Sequence, residues 1–240
     1  MVARSPIHHA LTRTGSSMAE LRYRFRTLEI GDQDIHLRSL RDRQQFDDPE
    51  GLAESLGICS ASWPMFGVLW AAGELLARMM QDYDIRGLRI LEVGCGLGLS
   101  SLLLNQRLAD ITASDHHPSA NALLQYNARL NNGRVIPFFR GSWADSNPAL
   151  GEFDLIIGSD LLYEPDHAAL LAGFIDRHAS PHSRAIIVDA GRGNRPAFCR
   201  QMDGYGFSHS CSPAVQDPAM PEPFKGQVMR FARGAGPAAG

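Results

Sequence analysis

Two stretches near the N-terminus, residues 23–30 and 34–40, alternate between apolar and polar residues. A period of two is typical of a β-strand with one buried face. Gly31 and Asp32 lie between the stretches and supply a turn signal. The pattern therefore predicts an N-terminal β-hairpin that lies outside any larger sheet.

From residue 88 onward, apolar runs of strand length alternate with segments of helix length. The predicted strands are residues 88–93, 110–114, 135–140, 153–158, 184–189, 207–211 and 227–231. The predicted helices are residues 97–107, 118–131, 166–178 and 195–205, with a further helix over residues 65–80. This alternation predicts an α/β fold, a doubly wound, mostly parallel, Rossmann-like sheet of seven strands. Such a sheet binds its ligands at the carboxyl ends of the strands.

A length of 240 residues fits one α/β domain with an N-terminal extension. Residues 1–21 are rich in small, basic and histidine residues without periodicity, so we expect a disordered extension there. The folded domain is expected over residues 22–233, with the hairpin region at 22–60 and the α/β core at 61–233. Residues 234–240 are expected to form a frayed tail.

A glycine-rich turn follows the first strand of the α/β core. Gly94, Gly96 and Gly98 are spaced two apart, and Glu92 stands two residues before them. Glycine lets the backbone turn sharply against a ligand, and the helix that follows directs free N–H groups at it. A dinucleotide fingerprint requires a third glycine where Leu99 stands. The spacing instead resembles motif I of the S-adenosylmethionine (SAM) methyltransferases, with an ordinary tight turn as the alternative.

An acidic residue also ends the second strand of the core. Asp115 follows residues 110–114 and stands where a carboxylate reaches the two ribose hydroxyls of a nucleoside. The acidic residue Glu92, the three glycines and the acidic residue Asp115 thus lie along a predicted strand–helix–strand unit. This order favours SAM binding over an ordinary turn.

Aromatic and polar residues follow the third and fourth strands. Trp143 lies beyond the third strand, where it either contacts an adenine ring or fills the core. Ser159, Asp160 and Tyr163 follow the fourth strand, which we expect beside the first. They are therefore expected to face the position of the SAM methyl group. The structural alternatives are Asp160 as a cap and Tyr163 as a core residue.

Ser62, Trp63 and Pro64 precede the helix predicted over residues 65–80. Ser62 suits the N-cap position and Pro64 suits the first turn. Trp63 either packs the hairpin on the core or belongs to a lid over the methionine end of the cofactor.

Together these motifs resemble the seven-strand protein-lysine methyltransferases with an Asp-x-x-Tyr motif, which form methyltransferase family 16. The resemblance covers residues 22–233 and is weakest in the hairpin, where we expect substrate choice to be set. Members of that group methylate chaperones, elongation factors, calmodulin and the beta subunit of electron transfer flavoprotein. The resemblance implies SAM as cofactor, S-adenosylhomocysteine as product and a lysine of a protein as acceptor.

The resemblance and its motifs also imply roles for individual residues. Asp160 and Tyr163 are expected to be catalytic and to face the substrate. The expected cofactor-binding residues are Trp63, Glu92, Gly94, Cys95, Gly96, Gly98, Asp115, Trp143 and Ser159.

Charge and cysteine usage limit the partners. The net charge of −3 is spread along the chain, which argues against duplex nucleic acid. Cys59, Cys95, Cys199 and Cys211 have no metal-ligand spacing, so we expect no metal and a reducing compartment. No leader opens the chain and no apolar run approaches ~18 residues. We therefore expect a monomeric, cytoplasmic protein without a membrane partner.

Three functions stay open on the sequence alone. The first is a protein-lysine methyltransferase. The second is a small-molecule N-methyltransferase that acts on a nicotinamide-like or amine substrate, although an enclosed pocket usually needs a longer lid. The third is a non-catalytic SAM-binding module.

Overall fold

The computed structural model describes residues 21–191, 193–215, 218–220 and 224–234. Its first element is an antiparallel hairpin in which β1 (Tyr23–Ile30) pairs with β2 (Gln33–Leu40). The hairpin forms a two-stranded sheet of its own, as the alternating pattern predicts. The extension and the tail predicted at the two ends lie almost entirely outside the described residues.

A seven-stranded sheet forms the centre of the α/β core. Its strands are β3 (Arg89–Val93), β4 (Asp110–Asp115), β5 (Phe138–Arg140), β6 (Phe153–Ser159), β7 (Ala179–Asp189), β8 (Ser208–Pro213) and β9 (Gln227–Ala232). They lie in the order β5-β4-β3-β6-β7-β9-β8, with β9 antiparallel to both of its neighbours and the other pairs parallel. After β3 the chain adds β4 and then β5 on one side of that strand, and it then crosses back to add β6 on the other side. The predicted doubly wound sheet is confirmed, and its switch point lies between β3 and β6.

Helices cover both faces of this sheet. They are α1 (Leu52–Ser55), α2 (Ala71–Gln81), α3 (Leu99–Gln106), α4 (Ala120–Leu130), α5 (His167–His178) and α6 (Arg195–Gly204), and short 3-10 helices span Trp63–Gly67 and Pro148–Leu150. Alternate residues of β3 face opposite layers, so Ile90 packs with α2, α3 and the hairpin, whereas Leu91 and Val93 pack with α5 and α6. Within the described ranges, no helix is long and apolar enough to cross a bilayer.

The helix predicted over residues 65–80 is divided in the structure. The 3-10 helix Trp63–Gly67 ends at Val68, whose backbone is extended with φ −118° and ψ 151°. The α-helix begins only at Ala71, after Trp70, which is also extended. The prediction of one continuous helix is therefore wrong.

Tertiary contacts explain this break. The indole N–H of Trp70 donates to the carbonyl of Met65 at 2.9 Å, which fixes the chain in a non-helical path. The backbone of Gly67 lies so close to β2 that an added Cβ would stand 2.5 Å from Leu40 Cδ1. Ser62 precedes the 3-10 helix and makes no side-chain cap bond, so its predicted capping of a long helix is also wrong.

Two strand boundaries differ from the prediction by three residues or more. β5 omits residues 135–137 because the Gln125 side chain bonds both main-chain groups of Ile136, at 2.7 and 3.3 Å. Those groups are the ones that a longer strand would use for its ladder. β7 begins at Ala179 instead of residue 184, since it follows α5 directly and first pairs with Phe153.

Asn127 of α4 and Asn131, the C-cap residue of that helix, hold the hairpin on the core. The side-chain oxygen of Asn127 accepts from the N–H of Arg38 at 2.8 Å, and its amide donates to the carbonyl of Arg38 at 3.1 Å. Asn131 makes the same pair of bonds with His36, both at 2.7 Å. The two side chains thus complete the hydrogen bonding of the β2 edge that β1 leaves unpaired.

We expect Asn127→Ala to lower the free energy of unfolding by about 1–3 kcal/mol, because it leaves two main-chain groups of Arg38 without partners in a buried contact. Asn121→Ala changes an exposed asparagine of the same helix and is expected to stay within about 0.5 kcal/mol of the wild type. Urea denaturation followed by circular dichroism measures both. Equal losses in the two variants contradict the docking role of Asn127.

Candidate functional site

A cleft of about 350 Å³ opens at the carboxyl ends of β3, β4 and β6, beside the switch point. This volume is within the range of roughly 300–1,000 Å³ that is usual for ligand sites. The structure brings most of the sequence-predicted residues to its wall, namely Glu92, Gly94, Cys95, Gly96, Asp115, Trp143, Ser159, Asp160 and Tyr163. Trp63 and Gly98 do not line it.

The glycine turn forms the floor of the cleft. Gly94, Gly96 and Gly98 have φ values of 58°, 53° and 70°, a left-handed conformation that favours glycine. A Cβ at Gly96 would stand 2.9 Å from the Phe66 carbonyl oxygen, so the backbones approach too closely for any side chain. A Cβ at Gly98 would stand 2.3 Å from Leu124 Cδ1, so this residue packs α3 on α4 and lies behind the floor.

Glu92 is a buried carboxylate beneath the turn. Its Oε2 accepts from the N–H of Ser101 in α3 at 2.9 Å and also from the Ser101 hydroxyl. Desolvation raises the pKa of Glu92 to about 7, although these hydrogen bonds act in the opposite direction. Glu92 therefore changes its charge near neutral pH.

Asp115 joins the ends of β3 and β4. Its Oδ2 accepts from the N–H of Gly96 and its Oδ1 from the N–H of His117, both at 2.8 Å. Burial raises the pKa of Asp115 above its usual range, against the effect of the two bonds. Because each carboxylate oxygen has further lone pairs, the group can also accept hydrogen bonds from a ligand.

Asp160 begins the segment that leaves the end of β6. Its φ of 54° is left-handed, which is uncommon for a residue with a side chain. Such a conformation costs about 1–3 kcal/mol and is held by its surroundings. Here the N–H of Asp160 donates to the carbonyl of Val188 in β7 at 2.8 Å. Strained residues of this kind concentrate at functional sites.

An aromatic cluster forms the wall beside Asp160. The His167 ring stands edge-on to Trp143 and to Tyr163, with ring centroids 5.2 and 4.5 Å apart. Its Nδ1 lies 2.7 Å from the carbonyl of Leu161, so the ring N–H donates to that group. His167 therefore fixes the two aromatic residues that the sequence motifs identify.

A second aromatic cluster forms the opposite wall. The rings of Phe66 and His117 are stacked with centroids 3.8 Å apart. Burial lowers the pKa of His117 to about 4, so its imidazole is neutral at pH 7. Trp63 is 1% exposed and stands edge-on behind both rings, at 5.4 and 5.2 Å. Trp63 thus supports the wall from behind and does not face the cleft.

The sequence motifs did not identify Phe66, His117 or His167. Helical spacing gives no signal for His167, because α5 begins at His167 and Tyr163 lies before it. Phe66 and His117 reach the cleft through the packing of the 3-10 helix on the end of β4, which no local spacing shows.

Comparisons with known proteins agree with this site. Residues 62–200 match a family model described as lysine methyltransferase. The electron transfer flavoprotein beta subunit lysine methyltransferase of Mus musculus is 28% identical over 194 residues, which cover 79% of this chain and 70% of that protein. EEF1A lysine methyltransferase 3 of Mus musculus is 29% identical over 123 residues, which cover 49% of this chain and 51% of that protein.

Solved structures show the same fold. Magnesium protoporphyrin IX methyltransferase from Synechocystis PCC 6803 with bound SAM has a TM-score of 0.54 and 20% sequence identity, covering 68% of this chain and 77% of that chain. The family model covers more than half of the chain, including the glycine turn and the Asp-x-x-Tyr segment. The chain therefore belongs to the lysine methyltransferase family and is a SAM-dependent methyltransferase.

Proposed function

We propose that the chain transfers the methyl group of SAM to the side-chain amine of a lysine in a protein substrate. The observation that carries the proposal is the convergence of the glycine turn, Asp115 and Asp160 on one cleft. The family and the two relatives named as lysine methyltransferases support lysine as the acceptor.

The residues of the cleft fit SAM. Gly94 and Gly96 line the cleft with left-handed backbone that carries no side chains, so an extended ligand can lie along the turn. Asp115 would accept hydrogen bonds from the ribose hydroxyls, Trp143 would contact the adenine, and Glu92 would face cationic groups of the cofactor. When bound, SAM supplies an electrophilic methyl group on a positively charged sulfur.

The acceptor amine must be neutral to attack. A free lysine has a pKa of about 10.4, so holding it deprotonated at pH 7 costs about 4–5 kcal/mol. The apolar wall formed by Leu161 and Trp143 lowers this cost because it disfavours the ammonium form. Asp160 accepts a hydrogen bond from the amine and orients its lone pair toward the methyl group.

Tyr163 is placed to guide the substrate side chain. It is 47% exposed and lines the cleft, so it stands at the mouth. Its ring stands edge-on to His167, and we expect an aromatic face of Tyr163 to contact the nitrogen. This face favours a cationic, increasingly methylated amine.

We further infer that the protein acts in the cytoplasm. Exposed Cys59 and Cys211 are free thiols, the state that a reducing compartment maintains. The monomeric state and the lack of a nucleic-acid or membrane partner stay predictions from the sequence.

Asp160→Ala is expected to reduce methyl transfer at least about a hundredfold, because the acceptor amine is no longer oriented. SAM affinity is expected to stay within about threefold of wild type, since Asp160 contacts the acceptor and not the cofactor. Asp166→Asn changes a nearby exposed carboxylate outside the cleft and serves as the matched control. Radiolabel incorporation and isothermal titration calorimetry measure the two quantities. Transfer that survives in Asp160→Ala removes this residue from the mechanism.

Asp115→Asn is expected to weaken SAM binding about tenfold to a hundredfold, because a neutral amide accepts hydrogen bonds from hydroxyls less strongly than a carboxylate does. Asp110→Asn, at the exposed start of the same strand, is the control and is expected to bind SAM as the wild type does. Calorimetry compares the two. Unchanged affinity in Asp115→Asn excludes the ribose role.

The affinity for SAM is expected to increase as the pH rises through about 7, the pKa of buried Glu92. A cationic ligand favours the ionised carboxylate, so binding is weak where Glu92 is protonated and reaches a plateau above its pKa. The side chain of Glu92→Gln cannot ionise, so the increase in SAM affinity with pH should disappear in this variant. The comparison with wild type separates the contribution of Glu92 from that of Asp115. Calorimetry between about pH 5.5 and about pH 8.5 tests this. An unchanged profile in Glu92→Gln rules out Glu92 as the titrating group.

The acceptor itself can be identified by transfer of labelled methyl from SAM into an extract of a strain that lacks this gene. Label in a few protein bands, absent with Asp160→Ala, supports the proposal, and acid hydrolysis then identifies methyl-lysine. Label confined to small molecules favours a small-molecule N-methyltransferase. SAM binding without any acceptor favours a non-catalytic SAM-binding module.

A further inference from the structure

We propose that Cys199, His209 and Cys211 form a zinc-binding site at the far edge of the sheet. One ligand atom from each residue lies within 4.8 Å of the ligand atoms of the other two. None of the three residues lines the cleft, so the site is separate from the proposed methyl transfer. The spacing of the cysteines in the sequence predicts no metal site. The three residues come together only in the folded chain.

The cluster joins a helix to an edge strand. Cys199 is a buried residue of α6. His209 and Cys211 stand two residues apart on β8, so their side chains leave the same face of that strand. β8 is the last strand in the order of the sheet, and α6 packs against it. The three residues thus meet between a helix and the strand that follows it in the chain.

The two sulfurs have the separation that a shared metal ion needs. Sγ of Cys199 and Sγ of Cys211 are 3.9 Å apart. Zinc–sulfur bonds of about 2.3 Å at a tetrahedral angle place two sulfurs about 3.8 Å apart. A zinc ion can therefore bind both thiolates with little movement of the backbone.

Asp203 orients His209 for metal binding. Nδ1 of His209 lies 2.6 Å from a carboxylate oxygen of Asp203. When Nδ1–H donates to this carboxylate, Nε2 carries the lone pair that is available to a metal. A carboxylate that orients a ligating histidine is a recurrent feature of zinc sites and strengthens binding.

The donor set selects the metal. Two thiolates and an imidazole suit zinc, whereas magnesium and calcium require oxygen ligands. On binding, each thiol releases its proton to solvent and its sulfur donates a lone pair to the ion. Three protein ligands leave the fourth tetrahedral position to water. The bound ion would link α6 to β8 and so stabilise the edge of the sheet.

The test uses the full-length chain, freed of metal and kept reduced with a phosphine. Titration with zinc against a chromophoric chelator is expected to show an equimolar site. Cys211→Ser and His209→Gln should each weaken binding on the order of a hundredfold, and Asp203→Asn about tenfold. Cobalt in place of zinc should give a thiolate charge-transfer band that Cys211→Ser weakens.

Cys59→Ser is the matched control, because it removes an exposed cysteine outside the cluster. It is expected to bind zinc as the wild type does. Saturating zinc should raise the Tm of wild type and Cys59→Ser by roughly 2–4 °C, but not that of Cys211→Ser. Since Cys211 and His209 are exposed, their variants are expected to fold, which circular dichroism checks.

Three outcomes overturn the proposal. The first is that the wild type does not compete with the chelator. The second is that Cys211→Ser and Cys59→Ser bind zinc equally well. The third is that the two sulfurs form a disulfide under a mild oxidant while the reduced chain binds no metal, which would make them a redox pair.

Discussion

The carboxylates of buried Glu92 and half-buried Asp115 hold the backbone turn on which the site is built. Glu92 accepts hydrogen bonds from Ser101 at the start of α3, and Asp115 accepts one from Gly96 in the middle of the turn. Left-handed glycines have no side chains that could pack and fix their position, so these charged acceptors do so. Both carboxylates are kept at the cost of desolvation, which raises their pKa values. A cationic ligand would compensate for this cost, so we propose that the same groups that shape the turn also favour SAM.

The end of β6 is fixed relative to that turn by direct packing. A Cβ at Gly158 would stand 2.6 Å from Leu161 Cδ1, and one at Gly94 would stand 2.4 Å from Leu161 Cδ2. The left-handed backbone at Asp160 turns the chain so that Leu161 fills this space between two glycines. The strain at Asp160 is thus part of the contact that places its carboxylate beside the floor of the cleft.

Residues within strand–turn–helix motifs could be predicted from the sequence, because such motifs fix their own geometry. Gly94, Gly96 and Asp115 are of this kind, and the position of the fourth core strand beside the first was also predicted. Residues placed by packing between distant segments could not be predicted.

The aromatic walls show this limit. Trp63 was expected either to pack or to contact the cofactor, and the structure buries it behind Phe66 and His117. The break in the helix over residues 65–80 depends on Leu40, which belongs to the hairpin and is far away in sequence. Cys199 and Cys211 likewise meet only because α6 packs on β8.

The hairpin connects to the cofactor turn through two close approaches. Asn127 fixes Arg38 in β2, and Leu40 of the same strand packs on the backbone of Gly67. The adjoining Phe66 places its carbonyl against Gly96, where even a methyl group does not fit. Close-packed backbone contacts transmit displacement because they have no space to absorb it. A displacement of the hairpin is therefore expected to move the wall that Phe66 forms, which gives a physical route from β2 to the cleft.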